Sequence, residues 1–385
     1  NWPAVSHGGP DSKSGSGNQA PRSELARMLH AIMMAGGSGT RFWPRSRRQL
    51  PKQFLTFGSD RTLLQETAAR CQPLIPAERT WVVTGRGHAD ETMRQLADVP
   101  PSQVLVEPCG RNTAPCIGLA ALQVQAVDLD AVLLVLPADH VIRPVSEFQQ
   151  AVRQAVALIA QSPERLVLFG VPATSPATGF GYVQRGEALP TDSGPAFRVA
   201  QFREKPDAAT AAGYVASGEY FWNCGLFVWR AETILCQIEQ HAPDIAARLN
   251  ALRPAVGTPR WAEQLEAEFP RMPSRSIDHA VLEKAAEVCV VPATFEWDDV
   301  GSWQALSRLL PPDAEGNTVD GLFCGVDTIG CVVGSTDAHL VATFGVHDLI
   351  IVHTPTATLV ADKRDETAMR RLIAELERRG LTEFL

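Results

Sequence analysis

A glycine cluster and a row of cations sit together in LHAIMMAGGSGTRFWPRSRRQLPKQFLTF, residues 29–57. The apolar run 29–35 stops at Gly36, Gly37, Ser38, Gly39 and Thr40, and Arg41, Arg45, Arg47, Arg48 and Lys52 follow. Glycines carry no Cβ, so backbone N–H groups there can close on an anion. The cations beyond them would neutralise a polyphosphate, and the chemistry this suggests is nucleotide binding. The pattern is not a P-loop, because Lys52 stands well past the glycines and behind two prolines. Nor is it the dinucleotide fingerprint, since Phe42 fills the place of the third glycine.

Further residues fit for chemistry fall in short boxes: EPCGRNTAP from Glu107 to Pro115, Pro137-Ala138-Asp139-His140, Glu204-Lys205-Pro206, Trp222-Asn223 before Gly225, and WDDVGSW from Trp297 to Trp303. Each has a plainer reading by position alone. Asp139 is then a turn residue after a strand, Asp299 a carboxylate in a first helical turn, Glu204 a surface partner of Arg203 or Lys205, and Asn223 a turn cap. The aromatics Phe221, Trp222, Phe227 and Trp229 read as core. The D-x-D motif of many glycosyltransferases occurs only as Asp128-Leu129-Asp130, ahead of a strand rather than at its end, which argues against that class.

Residues Gly36, Gly37, Gly39, Thr40, Arg41, Pro44, Pro51 and Lys52 match the signature of sugar-phosphate nucleotidyltransferases, and with the later boxes the chain resembles the mannose-1-phosphate guanylyltransferase family from about Met28 onward. The resemblance implies that GTP and mannose 1-phosphate are converted to GDP-mannose and pyrophosphate. It also implies roles: Arg41 and Lys52 as catalytic cations on the triphosphate; Gly36, Gly37, Gly39, Thr40, Glu107, Asn112 and Thr113 toward the nucleotide; Gly181, Glu204, Lys205 and Asn223 toward the sugar phosphate. Asp139 and Asp299 match the family's metal positions, and Mg²⁺ is the implied cofactor, a hard ion content with one or two carboxylates plus phosphate oxygens and water. Glu107 is expected to read guanine, whose N1–H and N2–H donors suit an acceptor-only carboxylate. The chain departs from the family at Cys224 and Asp298, where Ser is common, and it lacks the cupin-like isomerase domain of longer members, so isomerase activity is not expected. Two other readings stand beside this one: the same transfer on another sugar 1-phosphate and nucleotide, such as a glucose-1-phosphate nucleotidyltransferase, or a non-catalytic regulatory subunit sensing sugar nucleotides. The second would be marked by loss of the catalytic cations, and both are present.

The elements that must position these residues read as an α/β chain. Helical spacing at 62–71, 116–127 and 145–160 alternates with apolar runs at 29–35, 80–84, 102–107, 130–136 and 166–171. Such alternation predicts a doubly wound, Rossmann-like sheet, in which ligands gather beyond the carboxyl ends of the strands. Residues 178–206 read as a β-rich insertion, helices are expected through about residue 285, and 288–292 and 294–297 read as further strands. Ser302 is expected to cap a helix through Leu310. Pro311-Pro312 marks a boundary, after which 318–360 alternates short apolar runs with turn residues, suggesting a small β-rich module, a short solenoid or β-helix. An amphipathic helix over 366–379 presents Met369, Leu372, Ile373 and Leu376 on one face.

The domains are thus 28–310 and 311–385, with residues 1–27 read as a disordered extension ahead of a natural start at Met28. Over 385 residues the composition is that of a globular protein, 45% hydrophobic and 20% charged, and its net charge of −8 disfavours nucleic acid as a partner. Eight scattered cysteines include no C-x-x-C pair, which fits reduced thiols in a cytoplasmic protein. No apolar stretch reaches the roughly 18 residues of a membrane span. A homo-oligomer, a dimer, is expected.

Overall fold

The computed structural model describes residues 28–37, 39–336, 338–365 and 368–385. The extension 1–27 and the first residues of the expected terminal helix lie outside the described residues.

The strands of the first region are β1 (Leu29–Ala35), β2 (Thr80–Gly85), β3 (Val104–Glu107), β4 (Val132–Pro137), β5 (Val141–Arg143), β6 (Leu166–Pro172), β7 (Gly181–Ala188), β8 (Phe197–Arg203), β9 (Tyr220–Arg230), β10 (Val288–Pro292) and β11 (Glu296–Asp298). The helices are α1 (Leu63–Cys71), α2 (Ala89–Gln95), α3 (Thr113–Val127), α4 (Val145–Gln161), α5 (Ala208–Ser217), α6 (Ala231–His241), α7 (Pro243–Leu252) and α8 (Trp261–Glu268). Nine strands form one sheet in the order β3-β2-β1-β4-β9-β6-β10-β8-β7. Strands β3, β2, β1 and β4 run parallel, and β9 lies antiparallel between β4 and β6. The carboxyl ends of β1 to β4 therefore open on one side.

Side chains alternate across a strand, and β1 shows the consequence. Ile32 faces a core built with α3, α6 and α7, while Ala31 and Met33 face a second core with α1 and α4. Helix α3 is apolar nearly all round, as befits a helix buried over most of its length and exposed only in its last turn. It packs so closely on α7 that a Cβ on Gly118 would lie 2.5 Å from Leu249 Cδ1.

The expected β-rich insertion at 178–206 is not separate. Strand β7 pairs with both β8 and β9, β8 with β10, and β10 with β6, so the pairings among these five strands close into a ring at one end of the sheet. Strand β9, the aromatic run, is core as expected: Phe227 and Trp229 are buried and stacked. Strand β11 belongs to a two-stranded ribbon with β5 rather than to the main sheet. The expected helix after Ser302 is only a 3-10 turn, Trp303–Ala305, and one helical turn, Leu306–Leu309, without a side-chain bond from Ser302.

Beyond Leu310 lie β12 (Thr318–Asp320), β13 (Leu322–Val326), β14 (Val332–Ser335), β15 (Leu340–Phe344), β16 (Leu349–Thr354), β17 (Ala357–Asp362) and α9 (Ala368–Arg378). Parallel pairs match Leu322 with Leu340 and Val332 with Ile350, the same offset in both, which is the winding of a β-helix. Its turns repeat as well: Asp327 and Gly345, then Gly330 and Asp348, occupy equivalent corners and all have positive φ. This module shares a core with the first region. Phe42, Trp43 and Trp303 pack with Val332, Ile350, Leu359 and Met369, and Leu372, Ile373 and Leu376 of α9 close over them.

Candidate active site

Strand β1 ends at Ala35, and the chain turns at Gly37 (φ 108°) and Gly39 (φ 55°), conformations that favour glycine. A Cβ on Gly36 or Gly37 would meet nothing within 4 Å, so the backbone there borders open space. Gly39 is different: a Cβ there would lie 2.4 Å from the Lys52 backbone nitrogen. That close approach folds Lys52 back under the glycine turn, and Thr40 opens the short turn that carries Arg41.

Lys52 is 5% exposed. Its Nζ donates to Asp139 Oδ2 at 2.8 Å and to the Asp299 carbonyl at 2.5 Å. Asp139 follows β4. Asp299 follows β11, whose Asp298 pairs with Val141 of β5 just beyond Asp139, so the ribbon brings the two acids together across the sequence. Arg41 reaches the same turn, for a Cβ on Gly301 would lie 2.9 Å from Asp299 Oδ2 and 3.4 Å from Arg41 Nη1. Burial works to raise the Asp139 carboxyl, but Lys52, His140 and Arg41 hold it below the ordinary range. Asp299 goes the other way, burial lifting its carboxyl despite Lys52. Asp298 is turned elsewhere: it accepts from Val300 N at 2.7 Å and pairs with Arg308.

His140, quoted in a sequence box but given no role there, is largely enclosed, and burial depresses its imidazole to about 4. Its Nδ1 accepts from Trp297 Nε1 at 3.1 Å. An indole only donates, so the histidine proton sits on Nε2, which faces Asp139 Oδ1 at 3.7 Å.

A cleft beside these residues is lined by Gly181, Glu204, Asn223, Asp278, Trp297 and Asp299. Gly181 opens β7 directly beneath Glu204, where a Cβ would lie 2.5 Å from Glu204 Oε2. Lys205 is exposed and donates to Glu204 Oε1 at 2.5 Å. Asn223 Nδ2 donates to Asp278 Oδ1 at 2.9 Å, and Asn223 Oδ1 accepts from Gly225 N at 3.1 Å. Asp278 was missed in the sequence. It starts a π-helical turn, Asp278–Leu282, and nothing in Ser276-Ile277-Asp278-His279 marks it by composition or spacing.

Other sequence readings are corrected. Arg45, Arg47 and Arg48 do not face the site. Arg45 bonds to Asp320 and the Ser335 carbonyl, Arg47 to Thr356 Oγ1 and Arg48 to Glu377, all in the C-terminal module. Asn112, with φ 66°, uses its side chain to accept from Thr113 N. The Thr113 hydroxyl in turn accepts from Ile277 N at 2.8 Å, so Thr113 anchors the segment that ends in Asp278. The start of α3 is no open anion site, since Ala114 N is bound to the Arg275 carbonyl and Pro115 has no N–H. Glu107 ends β3 level with Gly85. It is buried beside Cys116, its Oε1 has no partner, and burial pushes its carboxyl up to about 7.

This fold and this site define a class, the nucleotidyl transferases. The family of that description matches residues 30–315, and a second family, the MannoseP isomerase/GMP-like beta-helix domain, matches 321–376. Mannose-1-phosphate guanylyltransferase of Escherichia coli is 38% identical over 361 residues, covering 93% of this chain and 76% of that protein. The xanthan biosynthesis protein XanB of Xanthomonas campestris pv. campestris is 41% identical over 367 residues, covering 91% and 74%. The crystal structure of mannose-1-phosphate geranyltransferase from Thermus thermophilus superposes with a TM-score of 0.81 at 35% identity, covering 91% of this chain and 99% of that one. The chain belongs to the mannose-1-phosphate guanylyltransferase family.

Proposed function

We propose that the protein joins GTP and mannose 1-phosphate to give GDP-mannose and pyrophosphate. One observation carries the reading: Lys52 is held beneath the glycine turn between Asp139 and Asp299, with Arg41 at the same turn. A phosphate oxygen of the sugar phosphate attacks the α-phosphorus in line, the bond from that phosphorus to the β-phosphate bridging oxygen breaks, and pyrophosphate leaves. Such a transfer asks the protein for alignment and charge neutralisation rather than covalent chemistry. Lys52 and Arg41 neutralise the triphosphate, while Lys205, a point charge on a flexible stem, turns from Glu204 to the sugar phosphate.

The donor set fits Mg²⁺. The Asp139 carboxylate and the Asp299 backbone carbonyl both accept from Lys52, and no cluster of three His, Cys, Asp or Glu side chains occurs among the described residues, so phosphate oxygens and water would complete the shell. Asp139 and Asp299 would hold the ion, which would supply further neutralisation of the phosphates. The buried Glu107 carboxyl, once ionised, offers two oxygens to accept both donors of the guanine edge.

Among the described residues no helix is long and apolar enough to cross a membrane. The free cysteines agree with a cytoplasmic setting, and the exposed apolar residues Leu322, Val326, Leu340 and Phe344 on β13 and β15 suit a homodimer. The test is pyrophosphate release with Mg²⁺ and mannose 1-phosphate, offering GTP, ATP, UTP and dTTP in turn. Release with GTP alone is the expected result, and release with none of them would overturn the reading.

A further inference from the structure

Around Asp299 the cations Lys52 and Arg41 stand among the carboxylates of Asp139 and Asp298, while around Asp278 stand Glu204 and Lys205. This second end turns two carboxylates, Glu204 and Asp278, into a single cleft with Asn223. A sugar 1-phosphate carries a phosphate that Lys205 can meet and hydroxyl donors that these acceptors can receive.

The hydrogen bonds at that end are unequally committed. Gly225 N can only donate, so it fixes Asn223 Oδ1 toward itself and Asn223 Nδ2 toward Asp278. Asn223 is left with one N–H and one lone pair. Asp278 uses Oδ1 on Asn223, and its carboxylate also meets its own backbone N–H. The backbone leading into it is anchored twice: Ile277 N donates to Thr113 Oγ1, and Ala114 N donates to the Arg275 carbonyl. A carboxylate held this firmly in a cleft is prepared for a directional contact.

We propose that Asp278 is a hexose-reading residue, fixing Asn223 with one carboxylate oxygen and receiving a ring hydroxyl of the sugar phosphate with the other. The inference rests on the proposed transfer to a sugar 1-phosphate and adds which residue, unmarked in the sequence, selects the sugar. A site built to accept a hydroxyl rejects an analogue lacking it, because its acceptor is then left unmatched.

The experiment compares the full chain with its Asp278→Asn and Asp278→Ser variants, using mannose 1-phosphate and a series of its monodeoxy analogues with saturating GTP. In the unaltered protein one deoxy analogue should show a KM raised roughly tenfold, the scale of a hydrogen bond to a charged group. Asp278→Asn should raise KM for mannose 1-phosphate by a similar factor and erase that analogue's penalty, with kcat and the KM for GTP within about twofold of the unaltered values. A merely structural role would change all analogues alike. Identical analogue profiles in the unaltered protein and in whichever variant keeps its melting temperature would overturn the inference. So would a change in the KM for GTP with the sugar profile intact. Absence of product from the unaltered protein with any sugar 1-phosphate would instead overturn the parent reading, and calorimetric titration with mannose 1-phosphate alone then tests Asp278 by the same comparison.

Discussion

Glu107 holds a carboxyl near 7 because it is buried with one oxygen unpartnered. Its unfolded pKa is lower, so between about 4.5 and 7 the folded protein keeps a proton that the unfolded chain has lost. Stability contributed by this group is thus present at low pH and lost as pH rises through 7. Glu107→Gln removes the titration, and its melting temperature without ligand should match the unaltered protein near pH 5 and exceed it near pH 8; parallel curves across that range would count against the assignment. The same variant should weaken the preference for GTP, since an amide offers one acceptor where the carboxylate offers two. For the metal, Asp139→Asn and Asp299→Asn should each cut turnover by orders of magnitude, and Asp298→Ser should leave it nearly intact, because Asp298 serves Val300 and Arg308. Turnover against Mg²⁺ concentration for the three variants checks this, and a crippled Asp298→Ser beside a normal Asp299→Asn would move the ligand by one position. Lys52, Asp139 and Asp299 were singled out through the family boxes around them, since by position alone Asp139 and Asp299 read as a turn residue and a carboxylate in a first helical turn; the structure brings the three together. Asp278 was not singled out, since its significance comes only from contact with Asn223 across the cleft. Arg45, Arg47 and Arg48 were misread because a charge in a sequence does not say which way its side chain points.

At the scale of elements, apolar runs with strand-like length gave correct positions for β1, β2, β4, β6 and β10, and the helical period did so for α1, α3 and α4. What pattern could not reveal was pairing: the ring closed by β7 and β9, and the small ribbon of β5 and β11, depend on contacts remote in sequence. The glycine loop is a case where pairing matters for chemistry. Among its described residues between Gly36 and Lys52 there is no regular structure beyond short turns, so something must hold its shape. Arg45 does so from behind, 9% exposed at its side chain, bonded to Asp320 and to the Ser335 carbonyl. Removing Arg45 leaves Asp320 and the Ser335 carbonyl without this donor. Arg45→Met should lower the melting temperature and, because the loop relaxes, raise the KM for GTP more than that for the sugar phosphate. Steady-state kinetics with each substrate varied in turn would show it, and equal kinetics in the two proteins would mean the loop holds itself.

The largest consequence appears for the molecule as a whole. The proline pair at 311–312 and the change to β-rich sequence mark a boundary, and the matched boxes all end by Trp303. The packing crosses that boundary. Two of the three large cores lie on the faces of the main sheet and need nothing beyond residue 310. The third is shared: Phe42, Trp43 and Trp303, which flank Arg41 and Asp299, are covered by Val332, Ile350, Leu359 and Met369. Trp43 Nε1 also donates to the Phe384 carbonyl at 2.6 Å, and Trp303 Nε1 to the Trp43 carbonyl at 3.0 Å, so the chain's last turn reaches the signature loop through two tryptophans. Exposing one large aromatic forfeits about 2–3 kcal/mol of burial, and several would be exposed together with an unpaired Arg45. Truncation after Leu310 should therefore leave the α/β sheet folded by far-ultraviolet circular dichroism yet abolish turnover and promote aggregation. Adding the isolated module back should not restore activity unless it rebuilds that core. A truncated protein that stays soluble and turns over at the full rate would show that the β-helix is dispensable to the loop it covers.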